Sequence, residues 1–223
     1  MLTIVLLLGN AFASGDMASI SGGKYLPFYA LKKKEVRVPA YQLDVYPVTN
    51  QDFLNFVKAH PKWQKSKVKP IFASSQYLAP WPGDLKLPAN QEQSPATYVS
   101  WFAAKAYCQA QGKKLPTGDQ WEFAARANEK KADATQDPVF RQRILDWYAQ
   151  TSRQSLPAVG STFKNLHGIY DMHGLIWEWV LDYNTVMITG ESREDSGIDR
   201  KLFCAGGAVG GADPSDYAAY MRF

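Results

Sequence analysis

A chain of 223 residues is long enough to bury a core without covalent staples, and a single domain is the simplest organisation for it. Aromatic residues make up 13% of it, and together with 16 glycines and 13 prolines they suit a loop-rich fold that fills its interior with flat rings. A formal charge of +4 is too mild to argue for nucleic acid: the lysines at 32–34 and 62–69 sit in no recognised nucleic-acid motif and read as solvated loop faces.

In chain order, residues 2–8 form a short apolar run followed by Ala11-Phe12-Ala13, the hydrophobic region and A-x-A cleavage pattern of a secretory signal. Residues 1–13 are therefore expected to be a signal peptide, with the mature chain starting near Ser14 in the periplasm or outside the cell. The run is too short for a stable membrane anchor. No Lys or Arg follows Met1, so the basic leader is missing, and a start further upstream or a buried N-terminal strand remains open.

Gly22 and Gly23 mark a turn into a strand through Tyr25, residues 35–38 alternate like a second strand, and residues 41–46 continue with Leu43 and Val45 on one face. Thr49 with Asp52 forms a Thr-x-x-Asp box opening a helix whose stripe is Phe53, Phe56 and Val57, ending before Pro61. From 61 to 93 four prolines, at 70, 80, 82 and 88, deny regular structure, and Tyr77 and Trp81 are expected to pin the loop. Ser100 caps a helix rich in small residues that carries Cys108 and ends at Gly112. Thr117 with Gln120 boxes the next helix, over 119–126. Residues 128–155 are polar, with a strand expected at 147–149. Residues 185–200 read as a surface loop, and 202–211 as a strand running into a glycine-rich bend.

Residues 165–182 form the pivotal stretch. Apolar residues alternate around Gly174, a strand-like period, and Trp177 and Trp179 bracket Glu178 so that the carboxylate points away from them. Desolvating a carboxylate is costly unless a cation or several donors meet it. Two readings follow: a core strand pair whose Glu178 accepts hydrogen bonds from nearby backbone, or a calcium site that curls carboxylate and carbonyl oxygens around a hard cation.

Other chemistry finds little support. Cys108 and Cys204 could be bonded or free. His60, His167 and His173 lack ligand spacing, and no Gly-x-Ser-x-Gly elbow occurs.

Five blocks in order carry a resemblance: Tyr46-Pro47-Val48-Thr49-Asn50; Val99-Ser100-Trp101 with Ala106-Tyr107-Cys108; Lys114-Leu115-Pro116-Thr117 with Gln120-Trp121-Glu122-Phe123; Gly168-Ile169-Tyr170-Asp171-Met172-His173-Gly174 with Trp177-Glu178-Trp179; and Gly206-Gly207. Over residues 21–223 the chain resembles the formylglycine-generating enzyme, or sulfatase-modifying factor, domain. That family implies an α+β, C-type-lectin-like fold of short twisted strands, few helices and long loops. It also implies a structural calcium held by Asp171 and Glu178 side chains and the Gly174 and Ile176 carbonyls. Activity transfers less readily. The oxidases of the family hold copper(I) on two cysteines after the glycine pair, where Gly211 and Asp216 stand here, and Ala208 replaces a serine. Copper and catalytic residues are therefore not expected, and the family's histidine-bound iron branch lacks its histidines. Cys204 precedes the glycines as a possible displaced thiol. The family continues beyond Arg222, so truncation is expected at the C-terminal end.

The resulting expectation is an exported sulfatase-modifying-factor-like domain without oxidase chemistry that binds or matures another exported protein or peptide. Alternatives are an enzyme of the same fold with an unrecognised site between the 70–88 loop and the 206–216 bend, where Asp213 and Asp216 lie, or a lectin-like module for glycans or peptides.

Overall fold

The computed structural model describes residues 16–27, 34–149 and 155–183. Within them the fold is mixed α+β, with two two-stranded antiparallel sheets and four helices joined by long loops. β1 (Met17–Ile20) and β4 (Tyr41–Asp44) pair with Ile20 opposite Tyr41, while β2 (Gly23–Tyr25) and β3 (Val36–Val38) pair with Gly23 opposite Val38. β1 lies ahead of residue 21, where the sequence placed the start of the domain. Its Ile20 is buried, and Ala18 packs with Tyr41 and Leu43 of β4 on the same cluster. Gly22 turns the chain from β1 into β2 at φ +70°, with a Cβ there only 2.3 Å from the Val38 carbonyl oxygen, so glycine is required by both conformation and space.

The helices start where side-chain caps allow. Thr49 and Asp52 close a reciprocal box at the head of α1 (Asn50–Ala59), and Thr117 with Gln120 does the same for α3 (Gly118–Ala125). Ser100 accepts from Ala103 N at the start of α2 (Trp101–Ala110). These agree with the sequence. Residues 147–149 do not: the expected strand is the end of a fourth helix, α4 (Pro138–Tyr148). Asp137 caps it, Pro138 occupies the first turn where its missing N–H costs nothing, and Phe140 and Ile144, four apart, reach the core with Phe163. Among the described residues the strand pair expected over 165–182 is also absent. One bridge, Lys164 to Tyr170, is followed by a turn at 172–175 and then by a stretch that forms no ladder with the described residues.

The loop over 61–93 opens with a 3-10 turn, Pro61–Trp63, and is pinned as anticipated. Tyr77 and Trp81 are buried; Tyr77 Oη donates to the Trp63 carbonyl (2.9 Å) and Trp81 Nε1 to Asn50 Oδ1 (3.0 Å). Phe53, Phe56 and Val57 of α1 with Tyr107 of α2 complete that cluster, and Ile20, Trp121, Ile169, Met172 and Val180 form a second beneath α3. No helix among the described residues is long and apolar enough to cross a membrane.

Candidate functional site

Without a ladder, the segment 177–182 is held by bonds to other parts of the chain. Trp101 Nε1 donates to the Val180 carbonyl (2.9 Å), Trp179 Nε1 to the Val99 carbonyl (2.8 Å) and Leu181 N to the Pro116 carbonyl (2.7 Å). Asp182 Oδ1 accepts from Gly118 N at 2.7 Å, placing a carboxylate on the positive end of α3. The two tryptophans are thus separated in role. Trp179 is half-buried and tied to the loop before α2, whereas Trp177 is 54% exposed with its ring 6.4 Å from that of Trp147.

Glu178 turns inward between them, and its Oε2 accepts a 2.6 Å hydrogen bond from Trp121 Nε1. The carboxyl reaches a cavity of about 180 Å³ whose wall includes Asp44, Cys108, Lys113, Tyr170 and Ile176. Burial pushes its pKa up to about 7; the Trp121 bond opposes the rise, and Asp171 and Asp44 add to it. Lys113 Nζ lies 2.6 Å from Asp44 Oδ1, so that ammonium is committed to another carboxylate.

Asp171 behaves differently. Its backbone is left-handed at φ +60° and its side chain is completely buried. Oδ1 accepts from Thr162 N (2.9 Å) and Thr162 Oγ1 (2.8 Å), and Oδ2 from Gly160 N. The carboxylate thereby fastens the turn at 160–162 to the pivotal segment. The expected calcium set of Asp171, Gly174, Ile176 and Glu178 fits a cation only in part. Glu178 meets a single N–H in an apolar wall and would gain from a positive charge, whereas Asp171 would have to surrender donors that already satisfy it. Among the described residues no three His, Cys, Asp or Glu side chains gather to hold a metal ion.

Cys108 is a free, half-buried thiol packed against the first cluster, and burial, with Asp44 nearby, raises its pKa to about 11. His173 is buried, with Nε2 donating to the Ala125 carbonyl (2.9 Å), and its pKa is lowered to about 4 by burial. His60 closes α1, and His167 stacks on Phe123. Cys204, Gly206, Gly207, Ala208, Gly211, Asp213 and Asp216 lie outside the described residues, and so does the cleft they were expected to line.

Sequence reasoning missed the partners. Trp121 carried a signal as part of a capped helix and of the third block of the resemblance, but nothing in the spacing ties it to Glu178, 57 residues on. Gly160 and Thr162 gave no signal.

Residues 3–221 match the family described as the sulfatase-modifying factor enzyme 1-like domain. The chain is similar to the inactive C-alpha-formylglycine-generating enzyme 2 of Mus musculus, 27% identical over 219 residues that cover 82% of this chain and 68% of that protein. It is 28% identical over 226 residues to the formylglycine-generating enzyme of Streptomyces coelicolor, covering 84% and 71%. It is also 27% identical over 186 residues to the serine/threonine-protein kinase pkn1 of Chlamydia pneumoniae, covering 81% of this chain but 28% of the kinase.

Proposed function

The chain belongs to the sulfatase-modifying factor enzyme 1-like domain family, and from that premise we propose that it is a recognition domain without copper oxidase chemistry, which binds or matures another exported protein or peptide. The observation that carries this reading is the distribution of sulfur. Only two cysteines occur: Cys204 ahead of Gly206-Gly207, and Cys108 on α2, whose thiol is held protonated by burial. Copper(I) in a two-thiolate site needs two deprotonated sulfurs side by side, and glycine at 211 and aspartate at 216 supply none. Similarity to a relative named as inactive supports the same direction. Export to the periplasm or the outside is part of this proposal, and the leader-like composition of residues 1–13 is what supports it.

Calcium belongs to this proposal as a structural ion, with Glu178 and the Gly174 and Ile176 carbonyls as its donors and Asp171 contributing only if it exchanges partners. Its chemistry is charge compensation, and the fold's own contribution is to hold Glu178 against Trp121.

Similarity to the Streptomyces formylglycine-generating enzyme favours a rival reading, an oxidase with a displaced site. The two are separated by incubating the purified protein with copper(I), air, a reductant and a cysteine-containing peptide. The recognition reading expects no stoichiometric copper and no formylglycine by mass spectrometry; formylglycine formed in a protein-dependent manner would overturn it.

A further inference from the structure

On one side of the first core cluster a row of rings runs to the surface. Trp63 meets Phe72 (6.1 Å between centroids), Phe72 meets Phe102 (5.4 Å), and Phe102 meets Trp101 (5.3 Å). The outer members are open: Phe72 is 39% and Phe102 43% exposed, and Ile71 beside Phe72 is 77% exposed. Such a patch on a loop and a helix start is costly to leave in water. Lysines rim it. Lys62 Nζ sits over the Trp63 ring and Lys105 Nζ over the Trp101 ring, at 5.7 and 4.8 Å from the centroids.

The loop that carries Phe72 is one-sided in charge. Between His60 and Asn90 the sequence holds five lysines, at 62, 65, 67, 69 and 86, against one acid, Asp84. Asp84 is engaged by Ser66 N (2.7 Å) and Ser66 Oγ (2.6 Å), and Lys65 donates to the Ala79 and Trp81 carbonyls. Among the described residues, Lys62, Lys67, Lys69 and Lys105 pair with no carboxylate.

A third, independent feature lies three residues before Trp101. Tyr98 adopts φ +56°, a left-handed conformation that bulky side chains avoid at a cost of about 1 kcal/mol, while its ring stays 57% exposed. Its carbonyl accepts from Leu78 N (2.9 Å), which fixes the strained backbone to the 61–93 loop. The strained backbone thus presents a ring that is more than half exposed.

We propose that the aromatic face of Phe72 and Phe102, with its rim of lysines that pair with no carboxylate and with Tyr98 on the segment that leads into the same helix, docks an acidic polypeptide segment carrying apolar or aromatic side chains. This rests on the recognition reading above and names the class of partner. Nucleic acid is the less favoured occupant. Bases need free flat ring faces to stack upon, but here Trp63 and Trp101 already carry ammonium groups, and Phe72 and Phe102 meet edge to face at 68°.

The test is fluorescence anisotropy on the full chain with labelled poly(Glu,Tyr), poly(Lys,Tyr), polyglutamate and single-stranded RNA. Poly(Glu,Tyr) is expected to bind more tightly than the other three. The double variant Phe72→Ser/Phe102→Ser and the double variant Lys62→Glu/Lys105→Glu should each weaken it by about tenfold or more. Tyr98→Asn guards against loss of fold as an explanation, because Asn accepts the left-handed region: it should melt no lower than the wild type yet bind less. The proposal is overturned if poly(Lys,Tyr), polyglutamate or RNA binds equally well, if the two serines leave poly(Glu,Tyr) binding intact, or if the patch variants change only self-association in sedimentation. Formylglycine formation, measured separately, would remove the recognition reading; absent formylglycine with no preference for poly(Glu,Tyr) would remove only this surface.

Discussion

At the residue scale the informative groups are the buried ones whose charge the protein must manage. Glu178 keeps its proton up to about pH 7 when folded, because burial disfavours the anion, but releases it near pH 4.5 when unfolded. The folded state therefore binds the extra proton between those values, and stability falls as pH rises through this window, by up to about 3 kcal/mol. Glu178→Gln should remove that loss, so urea unfolding at pH 8 should show the variant more stable than the wild type, with little difference at pH 4. A cation on Glu178 would compensate the anion instead. Millimolar calcium is expected to raise the wild-type melting temperature at pH 8 and to leave Glu178→Gln unmoved; equal shifts in both would place the ion elsewhere. His173 slopes the other way. Buried and neutral down to about pH 4, it stabilises the fold above the usual histidine range near pH 6.5, and that contribution is lost as pH falls from there to about 4. In Glu178→Gln this slope, to which His167 adds because burial lowers its pKa as well, should be visible as stability that climbs from pH 4 to 6.5. Cys108, with a thiol pKa near 11, should resist iodoacetamide at pH 7 until the protein is denatured.

At the scale of elements, boundaries follow capping and turn chemistry more closely than hydrophobic period. Three helices begin at residues whose side chains accept from the backbone three positions on, a local rule that needs no knowledge of the fold. α4 obeys the same rule through Asp137 and Pro138; the aromatic Trp147-Tyr148 pair favours a strand by local propensity, but Phe140, Ile144 and Trp147 recur at helical spacing. The β1–β2 turn offers a quantitative check. Gly22 and Gly112 share φ +70°, but an added Cβ meets the Val38 oxygen at 2.3 Å in the first and open space in the second. Gly112→Ala should cost about 1 kcal/mol, the conformational strain alone, whereas Gly22→Ala should cost more than about 2 kcal/mol as the turn between the two sheets is forced apart. Denaturant midpoints of the two variants measure the difference directly.

At the scale of the whole molecule, long loops are ordered by side chains reaching across the chain rather than by sheet. Tyr77, Trp81, Trp101, Trp121 and Trp179 each donate a hydrogen bond from a buried or half-buried ring to a partner distant in sequence. Amphipathic rings suit this task, burying apolar area while placing one donor.

The sequence by itself determined what depends on near neighbours and on residue identity: the family, the α+β class, the capped starts of α1 to α3, the pinned 61–93 loop, and the lack of a thiol pair at 211 and 216. The tertiary structure alone decided which partner each buried carboxylate meets. Asp171 is quenched by donors nine and eleven residues away, and Glu178 by one donor 57 residues away in a largely apolar wall. Two acids seven positions apart thus differ in solvation and in readiness for a cation, because desolvation and hydrogen bonding are properties of the packed surroundings, which spacing along a chain does not encode.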